Sequence, residues 1–176
     1  MPRHSARTPL DGRRTPVANH TGILLTPTLE GVGKRLVLQD SGGRTSYSWD
    51  VHSRLTKIVN PYAEATSITW DALDREQRRV LGNGMTVSHT FDQASRETLI
   101  ENRNAAGAAL AVFTNSYDSV SNRLTVVELD ATRVTYGYDP SYQLINEQRS
   151  GANAYRTSYQ YDPQGTRLLK NDSGAI

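Results

Sequence analysis

The chain has 176 residues, enough for one domain of ordinary size, but only 36% are strongly apolar and the mean hydropathy is −0.59, which favours a thin, well-solvated architecture over a deep core. It has no cysteine, so disulfides, thiolate metal sites and cysteine nucleophiles are excluded, and no apolar run approaches the ~20 residues of a membrane-spanning helix. The net charge of +2 lies in the N-terminal stretch: Arg3, Arg7, Arg13 and Arg14 face only Asp11 in residues 1–20, which leaves residues 21–176 at −1, so no basic face for nucleic acid is expected.

In chain order, residues 1–22 read as a disordered basic arm. Their opening "MPRHSARTPLDGRRTP" has no apolar segment of the secretory-signal kind. Residues 23–176 read as a repeat array. A worn first copy, "LEGVGKRL" (29–36), is followed by "YSWDVHSRLT" (47–56), "ITWDALDREQ" (68–77), "HTFDQASRET" (89–98), "NSYDSVSNRL" (115–124), "YGYDPSYQL" (136–144) and "YQYDPQGTRL" (159–168). In the six clear copies an aromatic residue, Trp49, Trp70, Phe91, Tyr117, Tyr138 or Tyr161, precedes Asp50, Asp71, Asp92, Asp118, Asp139 or Asp162. The aromatics are spaced by 21, 21, 26, 21 and 23 residues. An arginine follows four or five positions after the Asp at Arg54, Arg75, Arg96, Arg123 and Arg167; in the fifth copy Gln143 breaks the rule. The worn copy keeps Arg35 at the same spacing from Leu29-Glu30.

A period near 20 residues marks a stacked array. The unit is too short for a βαβ element and suits two strands and two turns. "GRTSYSWD" (43–50) alternates Thr45, Tyr47 and Trp49 with Ser46 and Ser48, a larger, more apolar face against a small polar one, which is strand patterning. "RNAAGAALAVF" (103–113) is the best helix candidate, weakened by Gly107. It coincides with the long spacing and reads as an enlarged connection between hairpins.

The pairs acquire a physical role at hairpin ends. An Asp at the first position of a tight turn accepts a hydrogen bond from the backbone N–H two residues on. The turn then leaves through a residue that tolerates positive φ: Gly165 suits this, Asn122 and Asp74 are tolerable, and Ser53 and Ser95 are poorer, which predicts looser turns there. The Arg opens the return strand within reach of the Asp or of a neighbouring repeat. The aromatic ends the outgoing strand, where it can stack on its equivalent in the next hairpin.

These residues resemble the RHS, or YD-repeat, family, whose signature is a Tyr-Asp pair, two variable residues, Gly, then Arg-Leu. "SYDSVSNRL" and "YQYDPQGTRL" match it closely, and the copies together cover roughly residues 27–170. The resemblance implies an all-β fold of repetitive antiparallel hairpins, here a curved open strip of an RHS/YD-type β-shell. Similar proteins include bacterial RHS effectors, the C-component of insecticidal toxin complexes and teneurins, in which the repeats wind a hollow shell. In the bacterial toxins that shell encloses a toxic polypeptide. The implied function is a non-catalytic structural segment of such a shell, whose partners are further YD repeats, a shell protein, or a toxin cargo. A secreted or cell-surface setting is likewise implied. The family's D-P-x-G-L cleavage motif is not among these residues, so no self-cleavage role is expected.

Other chemistry is weakly signalled. Each turn offers one Asp, where repeat-type calcium loops converge several oxygens. His4, His20, His52 and His89 are scattered without metal-pair spacing, and no nucleophile elbow appears. No cofactor and no enzymatic activity are expected. The alternative is a carbohydrate- or cell-surface-binding module that stacks glycans on the aromatic rows, Trp49, Trp70, Tyr138 and Tyr161 foremost.

Overall fold

The computed structural model describes residues 17–18, 24–29, 33–151 and 153–173. Of the arm expected at residues 1–22, only Val17–Ala18 falls among them, as a short strand paired with Leu24 and Leu25; the rest lies outside the described residues. Two compact units divide at Asn83/Gly84.

The first unit runs through β1 (Val17–Ala18), β2 (Leu24–Leu29), β3 (Arg35–Asp40), β4 (Gly43–Trp49), β5 (Leu55–Val59), β6 (Ala65–Trp70) and β7 (Glu76–Val80). The second runs through β8 (Thr86–Phe91), β9 (Glu97–Arg103), β10 (Ala109–Tyr117), β11 (Arg123–Glu128), β12 (Arg133–Tyr138), β13 (Leu144–Arg149), β14 (Tyr155–Tyr161) and β15 (Arg167–Ser173). Within each unit every strand pairs antiparallel with its neighbours in sequence. The fold is all-β, and the described residues contain no helix.

The period-2 pattern sets the two faces. In the second unit one ladder joins Asn115, Val126, Val134, Arg149 and Tyr155 across five strands. Its members Asn115, Val126 and Val134 are buried. The adjacent ladder on the opposite face joins Ser116, Thr125, Thr135, Gln148 and Arg156, with Ser116 and Thr125 sharing a 2.6 Å hydroxyl–hydroxyl hydrogen bond. Burial is shallow, as the low apolar content predicts. Among the described residues of the first unit Ile68 is the buried apolar side chain, and large apolar groups such as Val51 and Leu73 stand in solvent.

The expectation for residues 103–113 is corrected. Strand β9 continues to Arg103 and β10 begins at Ala109. The link is a tight turn in which Gly107 takes φ +84° and donates to Asn104 C=O at 2.9 Å. The extra residues lengthen β9 and β10 to seven and nine residues and do not enlarge the connection. Gly107 is there for its left-handed backbone, which glycine adopts without steric penalty.

Candidate functional site

The repeated aromatic–Asp pairs close six hairpins of one design. In each, the Asp N–H donates to the C=O four residues on, at 2.9–3.0 Å, and the residue three after the Asp donates its N–H back to the Asp C=O at 2.9–3.3 Å. One Asp carboxylate oxygen accepts the backbone N–H groups two and four residues on, at 2.7–3.0 Å, in every copy. The third residue after the Asp always has positive φ: Ser53, Asp74, Ser95, Ser121, Tyr142 and Gly165. This is a type I turn followed by a left-handed residue, a standard hairpin closure that introduces a bulge. The register accordingly shifts at each aromatic residue.

Two expectations change here. The positive-φ position in the fourth copy is Ser121, not Asn122. The turns at Ser53 and Ser95 carry the full hydrogen-bond set at 2.9–3.0 Å, so they are not looser. The Asp carboxylate fixes the loop from its first residue, and the side chain at the left-handed position contributes little.

The arginines fall into two classes. Arg54, Arg75 and Arg96, four residues after the Asp, form close ion pairs with Asp50, Asp71 and Asp92 at 2.6–2.7 Å. Arg54 also crosses to the next repeat, donating to Asp71 C=O at 2.9 Å and to the Asp74 carboxylate at 2.7 Å. Arg96 donates to Asp118 C=O at 2.6 Å, with its guanidinium 5.0 Å from the Tyr117 ring centroid. Arg123 and Arg167 stand one place later, on the strand. Asn122 takes the carboxylate contact to Asp118 at 2.9 Å, while Arg167 lies 5.9 Å over the Tyr159 ring. Gln143 occupies the fourth position after Asp139, where its backbone N–H completes the turn.

These contacts hold carboxyls ionised. The backbone N–H of Arg54 and then its guanidinium hold Asp50 below the ordinary carboxylate range against the opposing effect of burial. The Arg75 side chain does so for Asp71, and the Arg96 backbone N–H for Asp92. At Asp118 burial pushes the carboxyl up but is outweighed by Asn122 and the turn N–H groups, so it too is lowered.

In five of the six copies the aromatic residue carries a polar tip that reaches back one repeat. Trp49 Nε1 donates to Arg35 C=O, Trp70 Nε1 to Leu55 C=O, and the hydroxyls of Tyr117, Tyr138 and Tyr161 to Glu97, Arg123 and Leu144 C=O, all at 2.8–2.9 Å. The acceptor is always the fifth residue after the preceding Asp or, at Arg35, after Glu30 of the worn copy. All five junctions share one register. The residue two after the acceptor pairs with the residue three before the aromatic: Val37 with Ser46, Lys57 with Ser67, Leu99 with Thr114, Thr125 with Thr135, and Asn146 with Ser158. The incoming partner is Ser or Thr each time. Sequence reasoning missed this residue, although Ser46, Ser67, Ser88, Thr114, Thr135 and Ser158 align in the six copies. It also missed that Asn60 and Asn104 build the same closure at the opposite hairpin ends, their side-chain oxygens accepting two N–H groups at 3.0 Å.

A second polar group lies on β11–β15. Arg149 holds Glu128 through two bonds of 2.6 Å. Tyr155 donates to Glu147, Thr157 donates to Asp172 at 2.7 Å, and Lys170 pairs with Asp172 at 2.8 Å. The Glu147 contact, with burial, pushes the Tyr155 hydroxyl up to about 12. Among the described residues no three His, Asp or Glu side chains gather as a metal site, and no helix is long and apolar enough to cross a membrane.

No family model matches the sequence, and no curated protein matches it. Solved structures do. The crystal structure of TcdB2-TccC3 matches at a TM-score of 0.73 and 19% identity, over 86% of this chain. The same pair without the hypervariable C-terminal region matches at 0.74 and 19% over 88%, and a Photorhabdus luminescens Tc holotoxin pore at 0.72 and 20% over 86%. The chain shares with the matched part of these structures an all-β fold of successive antiparallel hairpins. The chain spans 9% of the length of the structures it matches. At this identity the likeness is one of fold, and it agrees with what the YD signature implied.

Proposed function

We propose that the chain is a non-catalytic structural segment of a YD-repeat shell that encloses or presents a toxin or other cargo in a larger assembly. The observation that carries this reading is the repeat junction. Five times, the residue that names the repeat uses its one hydrogen-bond donor on the backbone of the preceding repeat. The paired Asp likewise commits its carboxylate to its own turn. These side chains are thus engaged in building a sheet, which supports assembly over chemistry. The fold shared with components of the Tc holotoxin supports the same reading and the expectation of shell or toxin partners in a secreted or cell-surface setting. The engaged tips of Trp49, Trp70, Tyr138 and Tyr161 leave only their ring faces for a glycan, with no donor free to hydrogen-bond it.

The test is sedimentation and melting of the full chain, alone and with one further YD hairpin appended. Nearest-neighbour coupling predicts a higher melting temperature for the extended chain and self-association of the shorter one. A monomer in both cases with equal melting temperatures contradicts the shell-segment reading.

A further inference from the structure

We propose that the overhanging start of β10, residues 109–112, and the adjacent turn, residues 128–132, form a notch that docks a short extended peptide with apolar side chains and one lysine or arginine. The notch arises from a departure from the repeat and is independent of the shell-segment reading. The 26-residue spacing goes with a β10 of nine residues, against six or seven in the other strands that lead into a repeat Asp. On one side β10 pairs with β9 from Ala109 to Thr114. On the other, pairing with β11 begins only at Phe113 and Glu128. Residues 109–112 therefore present a strand edge with no partner strand among the described residues. This edge lies within the second unit, away from the last strand of the array.

The chemistry of the notch selects its occupant. An open edge of about four residues, roughly 13 Å long at the rise of a strand, is completed by an added strand of similar length. The neighbouring turn does not fill that place, because its backbone is bonded to itself. Glu128 N–H donates to Thr132 C=O at 2.8 Å, and Ala131 N–H donates to Glu128 C=O at 3.0 Å. Leu110 and Leu129 flank the cavity and remain half exposed, at 51% and 50%, while Val112 and Phe113 line its wall. These groups suit the apolar side chains of an incoming strand. The charge is set by Asp130, which also lines the cavity. Glu128 is already neutralised by Arg149 through two bonds of 2.6 Å. Asp130 has no ion-pair partner among the described residues. It accepts the Thr132 N–H at 2.9 Å, and that bond holds its carboxyl below the ordinary range. One uncompensated negative charge thus stands beside the open edge and favours a cationic side chain.

The probe is a dye-labelled hexapeptide with blocked ends, Thr-Val-Thr-Val-Thr-Lys, with a Glu-ended counterpart as the control. Each is titrated into the full chain by fluorescence anisotropy, and the complex is followed by hydrogen exchange. We expect saturable binding of the Lys peptide with protection of amides in residues 109–112. The Glu peptide should bind roughly three- to fivefold more weakly, the range of an exposed ion pair. Asp130→Asn keeps the side-chain oxygen that accepts the Thr132 N–H and should erase the preference for Lys. Successive N–H groups of a strand point to opposite edges. N-methylating the two valines, or instead the second and third threonines, should therefore abolish binding in one case only. Equal binding of the Lys and Glu peptides, a preference that survives Asp130→Asn, equal tolerance of both N-methylated peptides, or no binding at all overturns the proposal. Protection of residues 109–112 that rises with chain concentration alone makes a second copy the occupant and also overturns it.

Discussion

At the scale of single residues, the repeat Asp works through its hydrogen-bond geometry, and its charge is a second, separable contribution. Asn60 and Asn104 close equivalent turns without a charge. Asp92→Asn should therefore keep the turn and lose mainly the Arg96 pair, whereas Asp92→Ala should lose both and melt lower. The pH dependence has a definite sign. Asp50, Asp71 and Asp92 are held below the usual carboxylate range in the folded chain. Their stabilisation is complete above the unfolded value of about 3.9 and is lost as pH falls through the lower folded values. Urea midpoints measured from pH 6 down to 2 should fall less steeply for Asp92→Asn than for the parent chain. Tyr155 shows the opposite sense. Its hydroxyl is raised to about 12 by the Glu147 contact and burial, so its contribution is whole below the unfolded value near 10 and is lost as pH rises toward 12. Tyr136 and Tyr138 are also raised, chiefly by burial, so absorbance titration should show a group of late-ionising tyrosines whose latest phase is removed by Tyr155→Phe.

At the scale of the hairpin, the turn tolerates side chains that its backbone does not favour. Tyr142 holds φ +63° with its ring largely in solvent, and a bulky L-residue there carries a penalty of roughly 1–2 kcal/mol that glycine avoids. Tyr142→Gly should raise stability by up to about 1 kcal/mol in chemical denaturation, once the greater freedom of glycine in the unfolded chain is counted. This is also where the limits of sequence reading lie. The hairpins, their ends and the Asp-to-backbone contact were legible because a two-residue strand period and a repeated turn residue are local signals. Asn122 suits a left-handed backbone better than Ser121 by residue type, but the fixed count of three from the Asp puts that conformation at Ser121. The stretch at 103–113 read as an enlarged connection because its alanines favour helix, and strand pairing overrode that propensity. The aromatic-to-carbonyl contact was not legible, because its acceptor is a backbone atom one repeat away that no side chain announces.

At the scale of the molecule, stability is spread thinly. Buried apolar residues are few, so each unit depends on ladders and junctions between successive hairpins, as expected of a nearly one-dimensional array. The central claim is that the aromatic residues join repeats through their polar tips. It predicts that single replacements acting at separate junctions cost similar amounts and add together. The direct measurement is chemical denaturation of Trp70→Phe, Tyr138→Phe and Tyr161→Phe, singly and combined. Each removes one donor, to Leu55, Arg123 or Leu144 C=O, while keeping an aromatic ring. The account predicts a loss of about 1 kcal/mol for each tyrosine replacement, somewhat more for the Trp70 change, which also loses ring area, and near-additive losses on combination. Denaturation midpoints unchanged from the parent in all three would contradict it.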